Sequence, residues 1–455
     1  MPIEINTEFV IIGAGLTGLS CAHFLKKAGK TVVLIEKNNR VGGVINTIFE
    51  EGFVFETGPN SGVIAHPEVF TLFDDLRESS QLETARKESK RRLIWKNKKW
   101  EALPSGLISA IHTPLFSLKD KFRILGEPFR AKGTDPDESV ADLVLRRLGK
   151  SFLNYAVDPF ISGIYAGNPA NITTRFALPK LYELEQNYGS FIKGSFKKKP
   201  VKLADGEKKA TREVFSANGG LLNIISSLEN SINKNNIFLN SANIHINNIN
   251  GEFISSFSQF NEEVVIKSRK VITTIGGYAL PDILSFIEKK ELKPITDLEY
   301  AKVVQVALGF KNWQGIELNA FGGLVPSIEN RKILGVLFCS SIFTGRSPIG
   351  GALLSVFIGG MRNPQAINLS DDEIQSLVLS ELSEMCGLKN PKPDLIRIFR
   401  YPNAIPQYSA STGARLAKIK ELETKFPGLI LAGNIRDGIG MADRIKQGKK
   451  IAELF

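Results

Sequence analysis

Phe9-Val10-Ile11-Ile12-Gly13-Ala14-Gly15-Leu16-Thr17-Gly18 reads as a strand that runs into a glycine turn and opens a helix. Gly13 permits the tight turn, Gly15 lets the backbone approach a pyrophosphate, and Gly18 lets the helix carrying Leu19, Ala22 and Leu25 pack closely on a sheet. Leu16 and Thr17 begin that helix, whose free N–H groups and positive dipole end attract phosphate. A second strand, Thr31-Val32-Val33-Leu34-Ile35, delivers Glu36 about 20 residues past the glycines, where a carboxylate can accept ribose hydroxyls. The plain alternative is a tight strand-to-helix turn without a ligand. The ordered set of strand, turn, helix, strand and acid predicts a dinucleotide-binding unit.

The residues after the acid narrow the dinucleotide. Glu36-Lys37-Asn38-Asn39-Arg40-Val41-Gly42-Gly43 resembles the extension, acid, short spacer, Arg-x-Gly-Gly, of FAD-dependent amine oxidases and related flavoproteins. The resemblance implies FAD, with Arg40 neutralising pyrophosphate charge and Gly42-Gly43 passing beside the ribityl chain and flavin. A solvated surface cation is the other reading of Arg40.

At 455 residues the chain is too long for one simple core, so two or three domains are expected. With 43% hydrophobic and 23% charged residues it has an ordinary globular composition. Cys21, Cys339 and Cys386 lie far apart without metal-ligand spacing, which suits a reducing compartment. His23, His66, His112 and His245 form no cluster in the sequence. Metal catalysis and serine or cysteine hydrolysis are therefore disfavoured, and no metal site is expected. The first eight residues carry neither a basic nor an apolar leader region, so no targeting segment is expected. The longest apolar stretches, such as 350–360, fall far short of the roughly 20 residues of a spanning helix.

The net charge is +11, and its placement matters more than its total. Lys87, Lys90, Arg91, Arg92, Lys96, Lys98 and Lys99 form one basic cluster; Lys193, Lys197, Lys198, Lys199 and Lys202 form another. Between them lie Leu103, Leu107, Ile108, Ile111, Leu115, Phe116, Leu118, Phe122, Ile124 and Leu125. This combination suits peripheral docking on an anionic membrane. A helical core with solvated lysines is the alternative. No motif for nucleic acid accompanies the charge.

The alternation from Val44 to Phe55 reads as a hairpin leading into Gly58-Pro59-Asn60-Ser61. Residues 101–194 read as mainly helical, with an amphipathic helix spanning Asp135 to Gly149. Short strands return at Ile244-His245-Ile246, Gly251-Glu252-Phe253, Val264-Val265-Ile266 and Lys270-Val271-Ile272-Thr273-Thr274. Further strands are Val303 to Leu308, Ile333 to Phe338 and Leu353 to Phe357, and Ser370 with Glu373 forms a capping box. Near the C-terminus, Gly428 to Asn434 reads as a buried strand ending at Gly433. Gly438-Ile439-Gly440-Met441 then opens a helix that points toward a cofactor, where positive potential stabilises a reduced flavin.

Phe160-Ile161-Ser162-Gly163-Ile164-Tyr165-Ala166-Gly167-Asn168-Pro169, Leu184-Glu185-Gln186-Asn187-Tyr188-Gly189-Ser190 and Gly58-Pro59-Asn60-Ser61 resemble strings of the oxygen-dependent protoporphyrinogen oxidase family. Asn168 departs from that pattern, standing where many members have Asp. The resemblance implies an α/β plus α fold: a Rossmann-like FAD-binding domain (1–85, 211–278 and 420–455), a strand-rich substrate-binding domain (86–100 and 279–419) and a helical membrane-docking domain (101–210). It implies that Arg92 pairs with a substrate propionate, although Arg91 fits the same register. Leu324, Leu337 and Phe357 would sandwich the tetrapyrrole, Gly163 would approach the pyrrole nitrogens, and Asn60 would lie near the flavin. Beyond the glycines, the implied FAD contacts include Ile244, Thr274, Gly433, Asn434, Gly438, Ile439, Gly440 and Met441.

The implied reaction converts protoporphyrinogen IX to protoporphyrin IX in haem biosynthesis. It comprises three two-electron hydride transfers to FAD, with O2 as acceptor and hydrogen peroxide as product. No side chain is expected as a strong catalytic base, because the cofactor carries the difficult step. Expected partners are the porphyrinogen, O2 and a membrane surface, with the chain on the cytoplasmic face; a homodimer and hand-off to ferrochelatase stay open. Three alternatives stand beside this reading: a coproporphyrinogen III oxidase of the same family, another amine-oxidase-like flavoenzyme, and a non-catalytic flavin-binding scaffold.

Overall fold

A computed structural model describes residues 3–197 and 210–455, so Lys198, Lys199 and Lys202 of the second basic cluster lie outside the described residues. Two seven-stranded sheets organise the chain. The first runs in the order Ile237–Phe238, Val32–Ile35, Ile3–Ile12, Glu262–Thr273, Glu252–Gln259 and Ala242–Ile249, with Leu429–Leu431 also paired to Glu262–Thr273. Ile3–Ile12 is parallel to both of its neighbours, as a strand-helix-strand crossover requires. Both faces are apolar and covered, so Val10, Ile11, Ile12, Leu34 and Ile35 are buried whichever way they point.

The short strands read from the sequence at 244–274 merge into three long ones, joined by tight turns at Gly251 and Asn261. Leu280, Leu284, Leu292, Ile295 and Leu298 pack on this first sheet together with Ile419 and Leu422. These residues bridge the expected boundary between the FAD-binding and substrate-binding regions, because their apolar sides find the sheet rather than a second core.

The second sheet runs Leu395–Pro406, Tyr300–Phe310, Ala352–Gly359, Ile333–Leu337, Gly322–Leu324, Arg92–Lys96 and Lys99–Ala102. One face carries Leu93, Trp95, Val304, Val306, Leu308, Val336 and Val356, and buries them against the helix Asp371–Met385. Ser370 caps that helix and Glu373 completes the box, as the sequence predicts.

Helices dominate between Leu107 and Lys197. The expected helix over Asp135 to Gly149 is shorter: it covers Val140–Arg147. Ser139 adopts an extended conformation and its Oγ accepts from the Asp142 N–H at 3.1 Å, which fixes the start, while Asp135 closes a turn by accepting from the Asp137 N–H. Val140, Val144, Ile161, Ile172, Ala177 and Tyr408 form this region's core. Arg147, fully buried, donates to Glu127 and Glu185, and Ser190 donates to Glu127. Glu185, from the string Leu184 to Ser190, thus holds the helices together through a paired buried cation.

Candidate active site

Two chain segments close the cofactor cradle. Gly13 has φ +97°, and a methyl group added at Gly18 would lie 2.0 Å from the Gly13 carbonyl oxygen, so helix and turn touch without room for a side chain. The same addition at Gly15 meets nothing within 4 Å. Gly15 is the N-cap of the helix Leu16–Lys27, and no side chain caps its first N–H groups. Open space beside uncapped N–H groups fits a phosphate. Leu16 and Thr17 are buried in this first turn.

Glu36 is buried where the next strand ends. Its Oε2 accepts from the Ala14 N–H and its Oε1 from the Asn38 N–H and side chain, while Lys37 is exposed beside it. Both Glu36 oxygens therefore organise the turn. Arg40 donates to the carbonyls of Val41, Gly43 and Ile45, which folds its loop back so that Gly42 pairs with Gly15. Its charge stays close to the phosphate site, but its donors clamp backbone. Thr274 donates to the carbonyls of Ile12 and Gly13 and lies against Gly433, joining both chain ends at this turn.

The C-terminal strand covers only Leu429–Leu431 and so stops two residues short of the expected end at Gly433, and the helix Met441–Ala452 starts after Gly440. Between them Arg444, almost wholly buried, donates to the carbonyls of Gly433, Arg436, Asp437 and Gly438. Burial lowers its pKa, and four carbonyls together hold the charge beneath the loop. Asn434 accepts from the Tyr300 hydroxyl, Ile439 packs on the helical core, Gly440 donates to Asp443, and Met441 is buried. Arg444 was absent from the sequence-based site; its signal is a cation in the first turn of a helix, where dipole arguments favour acids.

Ile244 lies three residues past Ser241, whose N–H donates to the Glu36 carbonyl. It sits on the far edge strand and packs into the core of the first sheet, while Phe238, Asn240 and Ser241 make the backbone contacts to Glu36 and Asn38.

The remaining predicted residues share the open face of the second sheet. Strand register places Arg92, Gly322, Leu337, Ser355 and Ala307 in one row, and Ile94, Leu324, Gly335, Phe357 and Gln305 in the next. Residues two apart on a strand share a face, so both rows look the same way. The helix Asp158–Tyr165 lies over this face: a methyl added at Gly163 would meet the Leu324 side chain at 2.5 Å. Phe160 and Ile164 beside Gly163 are exposed, and on the sheet face Arg92, Leu324, Leu337 and Phe357 are half-buried while Ile94, Gln305 and Ser355 are buried, so the exposed part of the face lies around the first four.

Arg92 stacks over the Phe321 ring at 4.0 Å and donates to the carbonyls of Ser89 and Lys90. Among the described residues no carboxylate pairs with it, and burial lowers its pKa. Arg91 is exposed and donates to Asn319, off this face. The register thus separates the two arginines.

Asn60 lies where cradle and face meet. A methyl at Gly58 would strike the Val44 carbonyl at 2.2 Å, and Val44 follows Gly43, which packs on Gly15. Pro59 is half-buried between them. The Asn60 Nδ2 donates to the Gly58 carbonyl and Ser355 Oγ, and its Oδ1 accepts from the Cys339 thiol. Burial pushes that thiol up to about 12, which keeps it a neutral donor. Gln305 and Ser355 were missed in the sequence, although each is the one polar residue in an apolar run, Val303 to Phe310 and Ala352 to Gly359.

The flavin-containing amine oxidoreductase model matches residues 16–454. The chain belongs to that family. The cofactor is FAD, and the protein is an FAD-dependent oxidase. The chain is 30% identical to protoporphyrinogen oxidase 2 of Arabidopsis thaliana, over 98% of this chain and 92% of that protein. It is 26% identical to the coproporphyrinogen III oxidase of Bacillus subtilis (strain 168), over 97% and 96%. In fold it resembles a solved protein of Exiguobacterium sp. 255-15 assigned as a protoporphyrinogen oxidase, with TM-score 0.80, 23% identity and 98% coverage of both chains.

Proposed function

We propose that this flavoenzyme oxidises protoporphyrinogen IX to protoporphyrin IX, passing electrons to O2. The observation that carries the reading is the open apolar face with one unpaired guanidinium at its edge, Arg92. A flexible macrocycle needs apolar walls, here Leu324, Leu337 and Phe357, and an anchor for a carboxylate at one side. Bound FAD supplies the two-electron acceptor. The protein's residues bind, orient and exclude water: Arg92 holds a propionate, the apolar rows enclose the pyrroles, and Gly163 lets the helix backbone come close. Three such oxidations remove six electrons and six protons from the substrate and reduce three O2 to three hydrogen peroxides.

Anaerobic mixing tests this directly. Protoporphyrinogen should bleach the flavin band, and air should restore it. A flavin that stays oxidised would end the reading and leave the non-catalytic scaffold in its place. Coproporphyrinogen III is the second reading, favoured by the Bacillus relative. Its additional carboxylates would need cations that the two rows lack, so turnover should favour the dicarboxylate.

A membrane-docked form completes the proposal. Leu118, Phe122 and Leu125 follow one another along one side of the helix Leu118–Leu125 and are each about 70% exposed. Ile108, Ile111, Phe129 and Phe196 add exposed apolar groups, with Lys119, Lys193 and Lys197 nearby in sequence. Leu115 and Phe116 instead pack with Ile94, so only part of the apolar segment serves such a surface. No described helix is long and apolar enough to cross a membrane. We place the protein peripherally on the cytoplasmic face, where a poorly soluble product could pass to ferrochelatase. Flotation with anionic vesicles should carry the protein, less at high salt; protein left unbound at both salts would remove this part.

A further inference from the structure

Gln305 is nearly inaccessible to solvent, yet it stands on the open face of the second sheet among apolar neighbours. Its Nε2 donates to the Glu56 carbonyl at 2.8 Å and to Ser355 Oγ at 3.1 Å. A backbone carbonyl only accepts, so this contact fixes which end of the amide is nitrogen. Ser355 Oγ accepts a second bond, from Asn60 Nδ2 at 3.4 Å, which fills both of its lone pairs. The Asn60 nitrogen is thereby spent on Ser355 and the Gly58 carbonyl, while its Oδ1 takes one bond from the Cys339 thiol and keeps one lone pair open. Reversing that amide would set its oxygen against the Gly58 carbonyl. Asn60 is half-buried, and the chain from strand 300–310 through Ser355 ends at it, at the junction of cradle and face.

We infer that Gln305 is a positioning residue that, through Ser355, presents the Asn60 carbonyl oxygen as a fixed acceptor for an N–H group at the junction of cofactor and substrate. This inference rests on the proposed function. Two ring systems meeting there carry such an N–H: the dihydroflavin, which gains one on reduction, and the pyrroles of the porphyrinogen. A positioned acceptor matters because displacement by about 1 Å is enough to cost orders of magnitude in rate. Neither Gln305 nor Ser355 needs to touch the reacting atoms for this.

Gln305→Leu and Ser355→Ala test it as FAD-loaded proteins. Both should retain FAD and lower kcat about tenfold or more while KM stays within about threefold, the pattern of an interaction realised during reaction rather than in binding. The second readout needs no substrate: the flavin absorption envelope and midpoint potential. A potential made more negative in both variants assigns the acceptor to the reduced flavin; an unchanged potential with lowered kcat assigns it to the pyrrole. Should Gln305→Leu fail to hold FAD, Ser355→Ala decides, since it removes only a hydroxyl from a strand that remains apolar. Wild-type kcat and potential in Ser355→Ala would overturn the inference. If the unsubstituted enzyme does not oxidise porphyrinogen but the potential still shifts, the proposed function fails and the positioning role stands.

Discussion

The cofactor cradle and the substrate face are built by opposite means. The cradle is made by what is missing: Gly13, Gly15, Gly18, Gly42, Gly43 and Gly433 bring backbones together, and helix N–H groups do the binding. The face is made by what is present, side chains from five strands and a helix, drawn from Arg92 to Phe357. Even their cations differ. Arg444 is committed to four carbonyls under the cradle, whereas Arg92 keeps its charge free of any described carboxylate. The cradle should therefore fail when atoms are added, and the face when they are removed.

The most damaging addition is Gly18→Ala. The new carbon would stand 2.0 Å from the Gly13 carbonyl, a backbone atom that cannot swing away, so unfolding of flavin-free protein should be easier by about 3 kcal/mol or more. Gly15→Val is the informative partner: its extended backbone accepts valine and its surroundings are open, so the fold should persist while FAD is lost. Flavin-free melts and the colour of purified protein separate the two. A yellow Gly15→Val protein would break the distinction between glycines that pack and the glycine that makes room.

Glu56, beneath the junction of the two regions, sharpens the comparison through pH. Burial pushes its pKa up to about 7, outweighing the hydrogen bonds from the Leu221 N–H and Thr47 hydroxyl and the charge of Arg346. A carboxyl group raised above its ordinary 4.5 favours folding most when protonated. Its contribution is full below about pH 4.5 and is lost as pH rises to about 7, a decline on the order of 3 kcal/mol. Melts across that window should fall for the wild-type chain and flatten for Glu56→Gln. Parallel curves would assign the slope to other groups.

On the face, Arg92→Ala should raise KM by one to two orders of magnitude, corresponding to roughly 1.5–3 kcal/mol for a hydrogen bond to a charged group, with FAD content unchanged. Arg91→Ala should leave KM within about twofold, because exposed cations away from a site contribute little. Equal effects from both would mean that general positive potential, rather than register, anchors the substrate.

The cradle was legible because its chemistry is local: turn, helix start and acid fall within one stretch, and glycine has few other reasons to recur at those spacings. Gly58 and Asn60 were reached through resemblance, while their place beside Val44 and Cys339 needed the fold. The face was hidden for the same physical reason that makes it a face. Gln305 and Arg92 are far apart in sequence and come to share one surface, at opposite sides of it, only through strand register, which the alternation of one strand cannot reveal. The helix expected from Asp135 was overextended because its apolar spacing says nothing about Ser139 taking the cap.

Asn168→Asp should have the smallest effect. Asn168 Oδ1 accepts from the Ala170 N–H at 3.1 Å and from Arg362 at 3.3 Å, and Arg362 already pairs with Asp158. An aspartate keeps the acceptor that shapes the turn and adds a charge near a cation about one-third exposed, so solvent and the existing pair limit the gain to about 0.5 kcal/mol. The melting temperature should rise slightly at low salt and converge with wild type at high salt, with kcat/KM unchanged. This loop follows the helix that carries Gly163, and Asp158 at that helix's start also accepts from the Ser327 N–H beyond Leu324. A large loss of kcat/KM would therefore mean that the charge had moved the helix against the sheet. In that event the face would depend on backbone placement as strictly as the cradle does.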